Sequence, residues 1–423
     1  MGKYLLINLL LFSSLIALGQ DITGEWNGML KVESLQLPLV FHITKTNVGY
    51  SATIDSPDQG SKGTQMSKVT FENLVLTLEL ASQKFEYTGK LDSTNILVGT
   101  FKQAGQSFPM NLSRERIEKE KIPSASDVKD TAFLETEIIL HTKSGQIFGT
   151  LTMPKKFSKI PVALIIAGSG PTDRDGNQSV MQCNAYKKLA YGLAGNNIAS
   201  LRYDKRGVAK SIEAAKSESD LRFEDYINDA KEWIQLLKQD KRFSKVIVIG
   251  HSEGSLIGMI AATNADKYIS VAGPGQSIDK ALKDQLSTTQ SQEVQDLVFP
   301  IIDSLANGQM VNSVDPKLNS GFRLSVQPYL ISAFKYDPQI EIQKLNIPIL
   351  IVQGTNDIQV SVENAKRLSK ANPKAQLVFI DKMNHIFRAV DGDREVNLET
   401  YNNFNLPLAD GLVKEISNFI LKK

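Results

Sequence analysis

Cysteine is nearly absent from this chain of 423 residues, which contains one, Cys183. A single cysteine cannot form a disulfide within the chain, so the cores of the protein must hold it together without cross-links. We interpret Cys183 as an inert, partly buried thiol. An excess of charge of one sign is also absent, because 48 Lys and Arg residues stand against 46 Asp and Glu residues and the formal net charge is +2. With no dense basic block, the composition argues against nucleic-acid binding.

Long hydrophobic runs are confined to the N-terminus. The stretch MGKYLLINLLLFSSLIALG has one lysine, an apolar run from Tyr4 to Leu18, and small residues before Gly19. This pattern is typical of a signal peptide over residues 1–19, and we expect export to the periplasm or out of the cell. A membrane anchor is the alternative, but the run is short for a bilayer span and polar sequence follows it. We therefore expect no stable membrane insertion after cleavage.

Short strands dominate the next hundred residues. Runs such as LVFHITKT, LVLTLEL and KFEYTGKL alternate between apolar and polar residues, and turn residues separate them. The sequence predicts a small all-β domain over residues 20–114, followed by a charged and then Ser- and Pro-containing linker over residues 115–130. The opening DITGEWNGML resembles lipocalin-like β domains. We interpret the domain as a packing module, with lipid or glycan binding as the alternative.

From residue 131 to residue 423, strands and helices alternate. VALIIAG is a continuous apolar strand, as expected when both faces are buried, and FEDYINDAKEWIQLLKQD is an amphipathic helix. Such alternation predicts an α/β fold with a mostly parallel sheet and helices on both faces. The alternation stops at about residues 275–343, where the pattern is helical. We expect this insertion to be a cap above the strand ends, where open α/β sheets bind ligands.

A serine stands where the chain must bend most sharply, in KVIVIGHSEGSLIGM, residues 245–259. A strand pattern precedes the bend and a helical pattern follows it. A Gly-x-Ser-x-Gly turn in this context is a nucleophile elbow, where Gly250 and Gly254 allow close passage of neighbouring backbone. The helix N-terminus also directs backbone N–H groups at negative charge that develops beside Ser252. We predict that Ser252 is a catalytic nucleophile.

A serine hydroxyl needs a base, and the chain has four histidines. His42 falls in the β domain and His141 in the first strands of the second domain. His251 adjoins the serine, but its side chain should project away from the serine Oγ. His385 follows the last apolar strand, on a loop that can return it to the elbow, and is our candidate base.

The base in turn needs an orienting acid. Asp357 follows the strand ILIVQG at its carboxyl end, on the same edge of the sheet as the elbow. Asp381 is the rival, because it precedes His385 closely, and we favour Asp357. The chain order serine, aspartate, histidine is expected of α/β-hydrolases rather than of trypsin-like or subtilisin-like proteases.

The oxyanion of the reaction needs backbone donors. One should be the N–H of Glu253, the residue after the nucleophile, and the other should come from the loop GSGPTDRDGN. We choose the N–H of Ser169, with its two glycine neighbours as alternatives. Asp173 and Asp175 of this loop could face the substrate, but we expect them to brace the loop.

Five pieces of the second domain resemble bacterial α/β-hydrolases of the serine aminopeptidase-like and carboxylesterase type. They are IIAGSGPTDRDGN, LRYDKRGVAKS, VIGHSEGS, VQGTNDIQV and KMNHIF, in this order. The resemblance implies the α/β-hydrolase fold, with Ser252 as nucleophile, Asp357 as acid and His385 as base. It does not cover the β domain.

These residues predict an enzyme that hydrolyses a small carboxylic ester through an acyl-enzyme intermediate. No metal-spaced cluster and no Gly-rich dinucleotide or phosphate loop is present in the sequence, so we expect neither metal nor cofactor. A serine peptidase or amidase with the same triad is the close alternative. A peptidase that binds a free amino terminus needs carboxylates in its cleft, for which Glu253 and Asp173 are candidates. An exported binding protein that has kept a hydrolase fold is the more distant alternative.

Overall fold

The computed structural model describes most of the chain after the predicted signal peptide, which itself lies outside the described residues, as does most of the predicted linker. The chain divides into two compact units with their main boundary near residue 120. Among the helices so described, none is both long and apolar enough to cross a membrane. The described residues are 21–32, 35–57, 61–81, 85–103, 106–117, 133–179 and 181–422.

The N-terminal unit is an all-β unit of ten strands. Along the sheet the strands run in the order β4-β3-β2-β1-β10-β8-β7-β6-β5, and β9 pairs with β8. The strands are β1 (Gly24–Val32), β2 (Leu35–Thr46), β3 (Gly49–Ser56), β4 (Ser61–Gln65), β5 (Lys68–Glu72), β6 (Val75–Leu80), β7 (Phe85–Leu91), β8 (Leu97–Gln103), β9 (Gln106–Pro109) and β10 (Leu112–Ser113).

Large side chains fill the inner face of this unit. Trp26, Phe41 and Tyr87 are fully buried, and the Tyr87 hydroxyl donates a hydrogen bond of 3.0 Å to the backbone oxygen of Leu97. The guanidinium of Arg114 lies 3.9 Å from the centre of the Trp26 ring. The alternation of apolar and polar residues in the sequence therefore corresponds to an apolar core. Lipid or glycan binding by the unit stays a prediction.

The second unit is built on an eight-stranded sheet of order β11-β12-β14-β13-β15-β16-β17-β18. The first two strands form an antiparallel hairpin, β12 pairs antiparallel with β14, and the remaining pairs are parallel. The strands are β11 (Phe133–Thr142), β12 (Gly145–Pro154), β13 (Ile160–Ile166), β14 (Ala199–Tyr203), β15 (Phe243–His251), β16 (Lys267–Val271), β17 (Ile349–Gly354) and β18 (Gln376–Ile380).

Helices cover both faces of this sheet, and the α/β-hydrolase fold predicted from the sequence is confirmed. Buried apolar residues of α2, α3, α8 and α9 pack on one face, and those of α1 and α11 on the other. The helices are α1 (Ala185–Gly195), α2 (Phe223–Gln239), α3 (Glu253–Ala261), α4 (Ile278–Thr289), α5 (Gln292–Ala306), α6 (Asn319–Phe322), α7 (Gln327–Ala333), α8 (Pro338–Gln343), α9 (Val362–Ala371), α10 (Arg394–Glu399) and α11 (Leu412–Leu421).

Strand β13 marks the point where the connections change direction. The chain passes from β13 through α1 to β14 on one side, and then through α2 to β15 on the other side of β13. Loops that leave the carboxyl ends of two such strands diverge and leave a crevice between them. The loop after β13 and the turn after β15 therefore frame the place where a ligand site is expected.

The segment between β16 and β17 contains the five helices α4 to α8. Its helices bury a small apolar cluster that includes Val298, Ile302, Leu305 and Phe334. The helical pattern predicted for residues 275–343 thus corresponds to an insertion with a core of its own, as burial of its apolar helix faces requires.

Candidate active site

Ser252 lies in a strained turn between β15 and α3. Its φ of 53° and ψ of −124° are unfavourable for a residue with a side chain, at a cost of about 1–3 kcal/mol. Two glycines make this turn possible. A Cβ at Gly250 would lie 2.2 Å from the backbone oxygen of Gly254, and a Cβ at Gly254 would lie 2.4 Å from that of Ala167. The motif therefore presents a serine at the crevice with backbone packed closely behind it.

His385 and Asp357 form a hydrogen-bonded pair at the same edge of the sheet. The Nδ1 atom of His385 lies 2.8 Å from Oδ2 of Asp357, and both side chains are buried. Oδ1 of Asp357 accepts the backbone N–H groups of Gln359 and Val360 at 2.8 and 2.9 Å. Burial alone would raise the pKa of Asp357, but the charge and hydrogen bond of His385, with these two N–H groups, lower it. The carboxylate is therefore held ionised against the imidazole.

The rival acid and two of the other histidines lie away from this pair. Asp381 is exposed, and its Oδ1 lies 3.4 Å from Oγ1 of Thr355. His42 pairs with Asp55 in the β unit at 3.0 Å, and His141 is exposed on β11. The structure thus brings Asp357 to the predicted base and leaves its rival at the surface.

His251 forms a bridge that sequence reasoning missed. The backbone N–H of Gly168 donates to the Tyr186 hydroxyl at 3.0 Å, that hydroxyl lies 2.7 Å from Nδ1 of His251, and Nε2 of His251 lies 2.9 Å from the backbone oxygen of His385. Burial, followed by the charge of the nearby His385, lowers the pKa of His251 to about 3. The neutral imidazole therefore links the loop after β13 to the loop that carries His385.

The candidate oxyanion donors lie beside the serine. A Cβ at Gly168 would lie 3.1 Å from Cβ of Ser252, so the loop after β13 contacts the nucleophile. The N–H of Gly168 donates to the Tyr186 hydroxyl, so Ser169 and Gly170 remain the candidates in this loop. Glu253 is the first residue of α3, where backbone N–H groups have no acceptor within the helix.

The acidic residues considered for amine binding are engaged within the protein. Oε1 of Glu253 accepts the Tyr329 hydroxyl at 2.9 Å, and Oε2 lies 3.7 Å from Nζ of Lys205. Asp173 accepts two backbone N–H groups of its own loop at 2.8 Å, and burial raises its pKa to about 6. Asp175 pairs with the buried guanidinium of Arg202, whose Nε lies 2.7 Å from Oδ1. The acids of the loop brace it, in agreement with our interpretation.

A cavity of about 580 Å³ opens above Ser252 and His385. One wall comes from the loop after β13 and the other from the end of α10 and the turn after it. Among the described residues that line the cavity, none is Asp, Glu, Lys or Arg. The lining residues are Gly168, Ser169, Gly170, Thr172, Gly176, Gln178, Met181, Cys183, Ala185, Tyr186, His251, Ser252, Gln359, His385, Ile386, Leu398, Tyr401 and Asn402.

The wall formed by residues 398–402 was not predicted from the sequence. The described lining residues include none from the insertion at residues 275–343, and its role as a cap stays a prediction. The insertion contacts residues of the site at two points: the Tyr329 hydroxyl donates to Oε1 of Glu253, and Nε2 of Gln285 donates to the backbone oxygen of Gln359 at 2.9 Å. The segment after His385 lacks strong apolar periodicity, so its sequence did not reveal this role.

Cys183 lines the cavity but is not suited to act as a nucleophile. Its Sγ lies 3.1 Å from the backbone oxygen of Gly176, and burial raises the pKa of the thiol to about 11. A thiol in this state carries little thiolate at neutral pH. Within the described ranges, no group of three or more His, Cys, Asp or Glu side chains is arranged to hold a metal ion. Among the described lining residues, Ser252 and His385 therefore remain the candidates for the chemistry.

Comparison with known proteins finds similarity over part of the second unit. Residues 179–388 match the family model described as Serine aminopeptidase, S33. Among curated proteins the chain is similar to Esterase EstD of Thermotoga maritima, with 28% identity over 271 residues. The aligned part covers 63% of this chain and 63% of the length of that relative.

Two solved structures of esterases are among those to which the chain is similar. Est1E from Butyrivibrio proteoclasticus is 18% identical, with a TM-score of 0.44, over 68% of this chain and 99% of its own. The Pyrococcus furiosus esterase Pf2001 is 14% identical, with a TM-score of 0.43, over 73% of this chain and 98% of its own.

Proposed function

We propose that this protein is a serine hydrolase that cleaves carboxylic esters of uncharged small molecules. Ser252 is the nucleophile, His385 the general base and Asp357 the acid that orients it. One observation carries the proposal: a strained serine and a histidine bonded at 2.8 Å to a buried carboxylate share the floor of one cavity. The family match over residues 179–388 and the similarity to an esterase support the same chemistry.

In the acylation step, Nε2 of His385 takes the proton of Ser252 as the serine Oγ attacks the ester carbonyl carbon. The carbonyl oxygen becomes an oxyanion, which the N–H groups of Ser169 and Glu253 stabilise; each such donor is typically worth about 100- to 1000-fold in rate. Collapse of the tetrahedral intermediate breaks the bond to the leaving oxygen, and protonated His385 gives that oxygen its proton. The alcohol leaves and an acyl-serine remains.

Water completes the cycle. His385 removes a proton from water, hydroxide adds to the acyl carbonyl, and the tetrahedral intermediate expels the Ser252 oxygen, which recovers its proton from His385. Asp357 stabilises the imidazolium in both steps and keeps Nδ1 as the donor to its carboxylate. Base catalysis of this kind contributes about 100- to 10000-fold.

The cavity favours an ester over a peptide with a free amino terminus. A bound ammonium group needs a carboxylate nearby, because an unpaired charge in a cavity is costly. Glu253 and Asp173 are engaged with protein groups, and the described part of the cavity lining includes neither Asp nor Glu. The family description, Serine aminopeptidase, makes peptide or amide cleavage the second candidate.

Export through residues 1–19 is also part of the proposal. It rests on the charged start and the short apolar run of the sequence. Fractionation of cells that express the full chain, followed by N-terminal sequencing of the mature protein, tests it. A protein that stays in the cytoplasm with its N-terminus intact would contradict export without affecting the proposed activity.

A fluorophosphonate probe tests the nucleophile directly. The wild type should be labelled and Ser252→Ala should not, while Ser255→Ala, which changes a buried serine on the same helix, serves as the matched control. Turnover of p-nitrophenyl esters, compared with aminoacyl p-nitroanilides, separates the esterase from the peptidase. If the wild type is neither labelled nor able to hydrolyse either class of substrate, the proposal fails, and a binding protein with a hydrolase fold becomes the better interpretation.

A further inference from the structure

Tyr401 and Gln359 form a polar pair in the solvent-exposed part of the cavity lining. Nε2 of Gln359 donates a hydrogen bond of 3.0 Å to the Tyr401 hydroxyl oxygen, and both side chains line the cavity. Since the hydroxyl oxygen accepts this bond, its own proton is available for another acceptor. Among the described residues no acceptor takes that proton, so the tyrosine presents a hydrogen-bond donor to a ligand.

Through Gln359, the pair adjoins the candidate acid of the triad in the chain. The backbone N–H of Gln359 donates to Oδ1 of Asp357 at 2.8 Å, and Asp357 bonds to His385. In the proposed mechanism the carbonyl oxygen points to the donors of Ser169 and its partner, whereas His385 protonates the leaving oxygen. A leaving alcohol that extends from His385 along the Gln359 side of the cavity would meet this pair.

The surroundings define the chemistry of this alcohol. The lining residues that the structure describes carry no carboxylate, ammonium or guanidinium group, so a charged alcohol would lose its hydration without a counter-charge there. Asn402 and Gln178 add amide groups to the walls, and a cavity of about 580 Å³ has the volume typical of small-molecule sites. Hydroxyl groups fit such a lining because they both donate and accept hydrogen bonds.

We propose that Tyr401, held by Gln359, binds a hydroxyl oxygen of the leaving alcohol, and that the substrates are esters of polyhydroxylated alcohols such as polyols or sugars. The inference rests on the proposed esterase activity and names the leaving-group class for the same site. Tyr401 is a specificity-determining residue in this account. It does not take part in proton transfer.

Two esters that differ only in hydroxyl groups test the inference: propyl butanoate and 2,3-dihydroxypropyl butanoate. The wild type should show the higher kcat/KM with the dihydroxypropyl ester. Tyr401→Phe keeps the ring and removes the donor, and it should lower that kcat/KM about 3- to 10-fold while the propyl ester changes less than about 2-fold. Gln359→Met, which keeps the backbone N–H to Asp357, should act in the same direction.

Two further measurements separate substrate binding from a structural effect. Both esters give the same butanoyl-enzyme, so the deacylation rate should be equal for both and unchanged in Tyr401→Phe. The matched control is Tyr336→Phe, which removes a hydroxyl bonded to Glu224 at 3.0 Å away from the lining residues and should leave the ratio of the two esters unchanged.

The outcomes distinguish this inference from the proposed function. Equal loss on both esters, a change in deacylation, or no loss in Tyr401→Phe would overturn the role of Tyr401. A wild type that prefers the propyl ester would overturn the polyol class while the esterase stands. A wild type that hydrolyses no ester and does not react with the fluorophosphonate probe would overturn both.

Discussion

Nε2 of His251 lies 2.9 Å from the backbone oxygen of His385, which it reaches across 134 positions of the chain. A carbonyl oxygen only accepts hydrogen bonds, so Nε2 carries the proton and Nδ1 accepts from the hydroxyl of Tyr186. The Tyr186 oxygen accepts in turn from Gly168. All three bonds run in one direction, and they tie the candidate oxyanion loop to the loop of the candidate base.

This bridge makes stability depend on pH in a defined direction. His251 has a pKa of about 3 in the folded protein, against 6.5 ordinarily, so below pH 6.5 the unfolded chain binds a proton that the folded protein does not. Its contribution to stability is complete above pH 6.5 and is lost as the pH falls toward 3. Between pH 7 and pH 5, the titration of this one group should lower the free energy of unfolding by about 2 kcal/mol.

Urea unfolding of the wild type and His251→Gln at pH 5, 6 and 7 measures this contribution. The variant should be less stable at pH 7, because Tyr186 loses its acceptor. Between pH 7 and pH 5, its free energy of unfolding should fall by about 2 kcal/mol less than that of the wild type. His141→Gln removes an exposed histidine and should keep the wild-type slope. Equal slopes for wild type and His251→Gln would show that this histidine is not held neutral.

The candidate acid can be separated from its rival by two matched substitutions. Asp357→Asn keeps the shape of the side chain but loses the charge that stabilises the imidazolium and fixes its tautomer, so kcat should fall roughly 10⁴-fold. Asp381→Asn changes an exposed carboxylate and should stay within about 2-fold of the wild type. Steady-state kinetics with a p-nitrophenyl ester at pH 8 compares them, and the reverse ranking would make Asp381 the orienting acid.

Much of this arrangement could be predicted from the sequence, because its signals are local. Continuous apolar runs mark strands buried on both faces, and Ser252, Asp357 and the loop of His385 each follow such a run. Parallel strands place their carboxyl ends at one edge of a sheet, so residues far apart in sequence were expected to meet. The glycines around the serine likewise have a local steric cause.

The rest depends on contacts that no local pattern encodes. Tyr186 meets His251 from the start of a helix, and Gln359 meets Tyr401 from a loop, through side chains of otherwise ordinary elements. The short helix Arg394–Glu399 buries little apolar surface, so no periodicity marked the second wall of the cavity. The insertion at residues 275–343 has the stronger helical pattern, so the sequence predicted the cap there.

Gly254, two residues after the nucleophile, provides a test of the elbow itself. A Cβ at Gly254 would stand 2.4 Å from the backbone oxygens of Ala167 and Ile166, so Gly254→Ala must push the end of β13 away and move the oxyanion loop with it. We expect a loss of about 1–3 kcal/mol or more in stability and a large fall in fluorophosphonate labelling rate. Gly195→Ala, at the open end of α1, should change stability by less than about 1 kcal/mol, in the stabilising direction. Equal behaviour of the two variants would contradict the close packing.

Lys205 contacts both segments that carry the proposed oxyanion donors. Its Nζ donates to the backbone oxygen of Gly168 at 2.5 Å and lies 3.7 Å from Oε2 of Glu253, in a position with 1% exposure. Burial lowers the pKa of this lysine, and the carboxylate of Glu253 opposes that shift. Removing the lysine therefore has two separable effects: it frees the Gly168 loop and it leaves a buried carboxylate without a counter-charge.

Lys205→Met should lose about 3–5 kcal/mol of stability, because an uncompensated charge stays buried. The double variant Lys205→Met with Glu253→Gln removes that charge and should recover most of the stability. Its kcat should nevertheless remain roughly 100-fold low, since the carbonyl of Gly168 is still not held and the neighbouring N–H of Ser169 is displaced from the oxyanion. Urea unfolding and ester kinetics on the single and double variants separate the two effects. If kcat recovers together with stability in the double variant, Lys205 acts as a counter-ion to Glu253 and does not position the donor loop.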